Sequence, residues 1–180
     1  MGNLSWFNKL KVGILGSTEP DICMKILNKD LSAYLQDLKG IGKALADKRH
    51  EIVICPDIGD SKMATSKILS ESYRVEGGKR VIGIIPQDPR WGTIRLDMGL
   101  CDDTIYCDSW GEVPLKLVEA SDCLIVHSLS PGTMIEMCWG KWIRRKFYVL
   151  RKYIPTIPPE VSIYLDMDMV NDADELSRRL

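Results

Sequence analysis

Thr133 and Glu136 stand three residues apart in the stretch ASDCLIVHSLSPGTMIEMCWGKW, residues 120–142, where a hydroxyl and a carboxylate meet a glycine-containing loop. Residues 123–126 form a short apolar run of the kind that buried parallel strands show. It stops at His127, Ser128, Ser130, Pro131 and Gly132, which read as a polar turn. A helix is expected to start at Thr133, with Met134, Ile135, Met137, Cys138 and Trp142 as its apolar positions. A strand that runs through such a loop into a helix leaves backbone N–H groups free at the carboxyl end of a sheet, which suits an anion. Two chemistries then compete for the pair. In one, Thr133 and Glu136 form a capping box worth about 1 kcal/mol. In the other, Ser130, Gly132 and Thr133 hold a phosphate or ribose while the Glu136 carboxylate faces a sugar carbon.

A second corner of the same type follows the first candidate strand, KVGILG. Gly16, Ser17 and Thr18 lead into Glu19 and Pro20, with Thr18 expected as the helix N-cap and Pro20 near the first helical position. Backbone N–H groups and hydroxyls there would also accept a phosphate, although a Gly-x-G-x-x-Gly fingerprint is absent and a plain strand-to-helix turn fits equally well. After EIVIC, residues 51–55, Asp57 and Asp60 are candidate contacts to ribose hydroxyls. Asp60 or Ser61 is alternatively a simple helix cap.

Cysteine and histidine chemistry is less promising. The six cysteines include no C-x-x-C pair, and only two histidines are present, so zinc spacing is missing. No metal and no cofactor is expected. Cys23, Cys55, Cys123 and Cys138 sit in apolar runs and read as core residues, while Cys101 and Cys107 flank a short strand and read as more exposed.

The elements that must position these groups can be taken in order. Residues 20–38 carry Ile22, Ile26, Leu27, Leu31, Leu35 and Leu38 on one helical face, and Gly40 and Gly42 are expected to loosen that helix before a second piece at 43–49. Strands are expected at 51–55, 81–85, 104–106, 123–126, 147–150 and, last, 161–165. Gly77 and Gly78 suit a helix C-cap before the strand at 81–85. Helices are expected from about residue 61 to 73, at 112–121 and at 172–180. The loop from 87 to 99 contains Trp91; this residue and Trp110 could stack on a base or cover a core edge.

Two motifs resemble known families. ASDCLIVHSLSPGTMIEM is similar to the Gly-Thr-x-x-Glu segment of the Lonely Guy phosphoribohydrolases, the "lysine decarboxylase-like" nucleotide-binding superfamily related to DNA-processing protein A. It also resembles, more weakly, the Pro-Gly-Thr-x-x-Glu stretch of the nucleoside 2-deoxyribosyltransferases. GGKRVIGIIP, residues 77–86, resembles the Gly-Gly-x-Val-Ile-Gly-Ile-x-Pro element of the first family. The resemblance covers roughly residues 11–150 and implies that Glu136 is catalytic at an N-glycosidic bond and that the protein is a homodimer. Two departures qualify it. Ser128 to Pro131 stand where the phosphoribohydrolases carry a glycine-rich loop, and Val113-Pro114 stands where they carry an Arg-Lys pair. Lys116, a turn further on, is a poor substitute for that charge.

Together these readings give a single doubly wound Rossmann-like α/β domain over residues 1–180, with a mostly parallel sheet of about six or seven strands. The ligand should lie at the carboxyl ends of strands one, two and five. With a net charge of −1 the sequence offers no electrostatic footprint for nucleic acid. No run approaches the 18 apolar residues that a spanning helix needs, so no membrane partner is expected and a cytoplasmic location is. A nucleotide or nucleoside is the expected small-molecule partner. The functions left open are a nucleoside 5′-monophosphate N-glycosidase using Glu136, a deoxyribosyltransferase-like enzyme, and a nucleotide-sensing module without turnover.

Overall fold

The computed structural model describes residues 9–59, 61–88, 95–154 and 156–180. Seven strands form one all-parallel sheet: β1 (Lys11–Leu15), β2 (Glu51–Ile54), β3 (Val81–Pro86), β4 (Asp103–Cys107), β5 (Cys123–Val126), β6 (Lys146–Leu150) and β7 (Asp166–Val170). Their order is β4-β3-β2-β1-β5-β6-β7. The chain thus winds outward from β1 to one edge, returns to pair β5 with β1, and winds outward again. Seven helices cover the sheet: α1 (Pro20–Leu27), α2 (Leu31–Asp47), α3 (Thr65–Val75), α4 (Val113–Ala120), α5 (Pro131–Ile143), α6 (Pro159–Ser162) and α7 (Ala173–Arg179).

The alternation of side chains along each strand explains the two layers. Val12 and Ile14 of β1, Ile52 and Ile54 of β2, and Cys123 and Ile125 of β5 point to the face covered by α1, α2, α3 and α7. Leu15, Val53, Leu124 and Val126 point to the opposite face, where α4 and α5 pack. Because both faces are covered, the central strands are apolar throughout rather than alternating. The edge strand β7 is protected differently. Its Asp166 and Asp168 pair with Lys146 of β6 at 2.7 and 3.2 Å, and such charges discourage pairing with another chain.

Several expectations give way to packing. The long helix over residues 20–38 is two helices, α1 ending at Asn28 in the left-handed conformation and α2 opening on Asp30, whose side chain accepts the Ser32 N–H. Gly40 and Gly42 lie inside α2 and do not loosen it. A β-carbon on Gly42 would come within 2.9 Å of the α3 backbone at Leu69 and Tyr73, so this glycine permits close contact between the helices. Residues 161–165 are not a strand; 161 and 162 end the short α6, 163–165 lead out of it, and the last strand is Asp166–Val170. The β-branched residues Val161 and Ile163 resembled a strand, but α6 opens on Pro159 and the sheet edge is taken by the acidic segment that Lys146 can pair. Helix α3 starts at Thr65 with no side-chain cap, and Ser61 instead accepts the Met63 N–H in a local turn. Among the cysteines, Cys138 is exposed and Cys107 buried, the reverse of the expectation for both.

Helix α5 is held to β6 at Gly140, where a β-carbon would overlap the ring of the fully buried Phe147. Ala is a better helix former than Gly by about 1 kcal/mol, yet overpacking of a rigid ring costs about 1–3 kcal/mol. The steric term should win. Gly140→Ala is expected to lower the urea midpoint of the protein, as followed by circular dichroism, and a raised midpoint would contradict this account of the α5–β6 contact.

Candidate functional site

The reversal of strand order between β1 and β5 sends the following helices to opposite faces, α1 to one and α5 to the other. A crevice must open between them at the carboxyl ends of the strands. It is there that a cavity of about 700 Å³ lies. Its walls come from the β1 exit at Gly16 to Thr18, from Ile22, Cys23 and Ile26 of α1, from Cys55 and Asp57 after β2, and from Ser130 to Thr133 of α5. Trp110, Val113 and Pro114 close the side formed by the head of α4. Ile14, Leu15, Leu117 and Leu129 make much of the interior apolar.

The start of α5 decides between the two readings of Thr133 and Glu136. The helix begins at Pro131, two residues earlier than expected, and Ser130 is its N-cap, accepting the Thr133 N–H at 3.2 Å. The Thr133 hydroxyl, buried, meets the Ser130 hydroxyl at 3.0 Å. The capping role therefore belongs to Ser130 and Thr133, and the Thr133–Glu136 capping box does not form. Glu136, one turn further on the same face, lines the cavity, and its carboxylate takes no hydrogen bond or ion pair from the described residues. Desolvation alone pushes its pKa up to about 8.

The β1 corner is organised by hydroxyls that the sequence did not single out. Thr65 of α3 donates to the Ser17 carbonyl at 2.9 Å, and the Ser17 N–H donates to the Ser128 hydroxyl at 3.0 Å. Between them the Tyr34 hydroxyl lies 2.7 Å from Thr65 and 2.8 Å from Ser128. Since each hydroxyl has one proton and that of Thr65 is committed to Ser17, Tyr34 must donate to Thr65 and Ser128 to Tyr34. All of these groups are buried, and burial pushes the Tyr34 phenol up to about 12. A β-carbon on Gly16 would strike Thr65 at 2.6 Å, which is why glycine stands there. The Ser17 hydroxyl accepts the Glu19 N–H, so Glu19 rather than Thr18 is the N-cap residue of α1.

Each candidate residue can now be placed. Gly16, Ser17, Thr18, Ser130, Gly132, Thr133, Asp57 and Glu136 all border the one cavity. Within it Ser17 has its N–H, carbonyl and hydroxyl engaged, whereas Thr18, Gly132 and Glu136 border the space with no side-chain hydrogen bond or ion pair to another of the described residues. Asp57 keeps one carboxylate oxygen on the Gly59 N–H at 2.9 Å. Asp60 and Trp91 lie outside the described residues. Trp110 borders the cavity, and Lys116 is tied to Glu119 at 3.0 Å and not to the cavity. His127 and Ser128, read from sequence as a polar turn, are interior: the His127 ring stacks on Tyr153 and meets Tyr34 edge-on, and burial pushes its pKa down to about 3. A homodimer built on α5 was expected to use Met134, Met137 and Trp139; Met137 is buried and Met134 and Trp139 are half-buried, whereas Ile135, Cys138 and Trp142 are exposed. No helix among the described residues is long and apolar enough to cross a membrane.

The same architecture occurs in solved proteins. The Moco carrier protein from Chlamydomonas reinhardtii superposes with a TM-score of 0.66 at 14 % identity, over 96 % of both chains. The molybdenum cofactor binding protein of the phototrophic bacterium Rippkaea orientalis gives 0.70 at 13 % identity, over 96 % of this chain and 95 % of that one. The fold they share with this chain is Rossmann-like. DNA processing protein A of Streptococcus pneumoniae gives 0.59 at 14 % identity, with 99 % of this chain on 64 % of that one. No protein-family model and no curated protein matches the chain.

Two outcomes are expected from this geometry. Tyr34→Phe strands the Ser128 proton and leaves Thr65 without its donor, which should cost about 1–3 kcal/mol in urea unfolding; an unchanged midpoint would show that the circuit carries no energy. The second concerns pH. Below about 4.5, the ordinary value, Glu136 is protonated folded or unfolded; from there to about 8 only the native state keeps the proton, so stability falls as pH rises. Its contribution to the slope is at most about 1.4 kcal/mol per pH unit. Glu136→Gln should remove that contribution between pH 5 and 8, seen as a flatter stability profile than that of the unsubstituted protein.

Proposed function

We propose that the cavity binds a nucleotide or nucleoside and that Glu136 acts on its N-glycosidic bond. The observation that carries this reading is the Glu136 carboxylate itself, partnerless and desolvated on the wall of a ligand-sized cavity beside a helix N-terminus. The Gly132 N–H, the Ser130 hydroxyl and the Thr18 corner would take the phosphate, helped by the partial positive charge at the start of α5. The free side of Asp57 would reach the ribose hydroxyls. Glu136 would stabilise an oxocarbenium-like sugar or draw a proton from the attacking water. The resemblance of the Gly-Thr-x-x-Glu segment to the phosphoribohydrolases supports that assignment, and a homodimer of their kind would draw on Ile135, Cys138 and Trp142 of α5.

A second reading, binding without turnover, is favoured by Val113 and Pro114. They form cavity wall at the point where the resemblance implies an Arg-Lys pair, so the leaving base has no cationic assistance from α4. Solved proteins of this fold include a molybdenum cofactor carrier protein and a molybdenum cofactor binding protein, which is compatible with a holding role.

Thermal shift with AMP, other nucleoside monophosphates, ribose 5-phosphate and deoxynucleosides, with free base assayed in the same samples, separates the readings. Stabilisation with base release, lost by a factor of about 100 or more in Glu136→Gln, is the result expected. Stabilisation without release leaves the sensor or carrier reading, and neither effect with any of them refutes nucleotide binding.

A further inference from the structure

Among the described residues that line the cavity, those that can carry charge are all acidic. Glu136 from α5 and Asp57 from the β2 exit both bear on the Cys55 thiol, whose pKa is raised by burial and, in addition, by these two carboxylates. Glu19 adds a third carboxylate at the rim, and the described residues that line the cavity include no Lys, Arg or His. A phosphate is served by the helix N-terminus at Gly132. The part of a ligand that reaches Glu136, however, meets a desolvated carboxylate in a cavity whose lining also includes Leu15, Val113 and Leu117. A neutral purine gains little there, because its ring must be protonated before it leaves. An N-riboside whose ring nitrogen is quaternised already carries positive charge at the bond to be broken.

Resting on the nucleotide-binding reading above, we propose that the cavity selects pyridinium-type N-ribosides and their 5′-phosphates, with Glu136 set against the bond between the charged nitrogen and C1′. Attraction between the ring charge and a poorly solvated carboxylate gives the selectivity. In the hydrolytic step a water oxygen bonds to C1′ and the C1′–N bond breaks. The bonding pair stays on nitrogen, which becomes a neutral pyridine, and the water proton passes to Glu136 and then to solvent. Atoms and charge balance with water as the only co-reactant, and no acid is needed on the base. The missing Arg-Lys pair then ceases to be a defect, since a cation on α4 would repel this substrate.

The mechanism has a thermodynamic signature. An empty cavity keeps Glu136 protonated up to about pH 8, and a cationic ring favours the carboxylate, so binding must expel a proton. The other titratable groups facing it are Asp57 and Cys55 from the β2 exit and Glu19 and Cys23 from α1; α4 presents Val113, Pro114 and Leu117, which do not titrate. Affinity should therefore rise with pH, up to about tenfold per unit, and level off near pH 8.

Isothermal titration of the full chain with nicotinamide mononucleotide and with AMP, in buffers of different ionisation enthalpy, tests this, with free base measured by chromatography. Expected are binding of nicotinamide mononucleotide at least about tenfold tighter than AMP, proton release near pH 7, and loss of both the pH dependence and the preference in Glu136→Gln. Nicotinamide mononucleotide bound with proton release but left intact keeps the ligand class and removes the hydrolytic step. AMP bound as tightly or more tightly overturns the inference and leaves nucleotide binding standing. Binding of neither overturns both.

Discussion

The arrangement of the site depends on three buried hydroxyls and the backbone N–H and carbonyl of one residue. Ser17 sits where β1 ends, and its N–H and carbonyl are taken by Ser128 and Thr65, which Tyr34 bridges. These residues come from the β1 exit, the β5 exit, α2 and α3, so one connected set of bonds fixes the two strand ends between which the cavity opens. The direction of every proton in it is determined, because each hydroxyl has one to give and one committed acceptor starts the chain. A network of that kind is stable only when complete; a missing member leaves a buried donor or acceptor unpaired at a cost of about 1–3 kcal/mol. Gly16 belongs to the same constraint, since any side chain there would push Thr65 off the Ser17 carbonyl.

Much of the architecture was legible because the signals were local. Apolar runs with glycine or proline at one or both ends marked β1, β2 and β3, a bare apolar run marked β5, and all of these as well as 147–150 for β6, 112–121 for α4 and 172–180 for α7 fell within about a residue of the observed bounds. The failures also have local causes. Residues 20–38 share an apolar face that runs on through the break at Asn28, so periodicity could not see the left-handed residue that divides α1 from α2. Residues 161–165 look more like a strand than the acidic DMDMV that follows, and it took pairing with Lys146 to make β7. Helix propensity likewise penalises Gly42, while contact with α3 requires it.

The segments that the sequence singled out meet at one cavity, but the hydrogen bonds within them differ from those expected. Thr133 and Glu136 have capping-box spacing, but Pro131 suits the first helical position so well that the helix starts there and Ser130 becomes the cap. Ser17 was legible as a phosphate-type hydroxyl, yet it is used up internally. Its partners Tyr34, Thr65 and Ser128 are 94 residues apart at the extreme, so no motif could have joined them. His127 and Ser128 carried polar letters and are nevertheless interior, because the chain at that point crosses under α2 before it reaches the surface.

The early start of α5 also sets the spacing of chemistry in the proposed reading. Gly132 offers its N–H in the first turn and Glu136 lies four residues on, roughly 6 Å along the helix axis. That is the reach of the short run of bonds from a 5′-phosphate to the anomeric carbon of a ribose. One helix can then serve both ends of the sugar, its positive terminus on the phosphate and its carboxylate at C1′. Had Thr133 been the cap, Glu136 would have turned back to the helix N-terminus and the cavity would have lost that carboxylate. The sequence Ser130-Pro131 thus matters to function through geometry: it takes over capping and leaves Glu136 free.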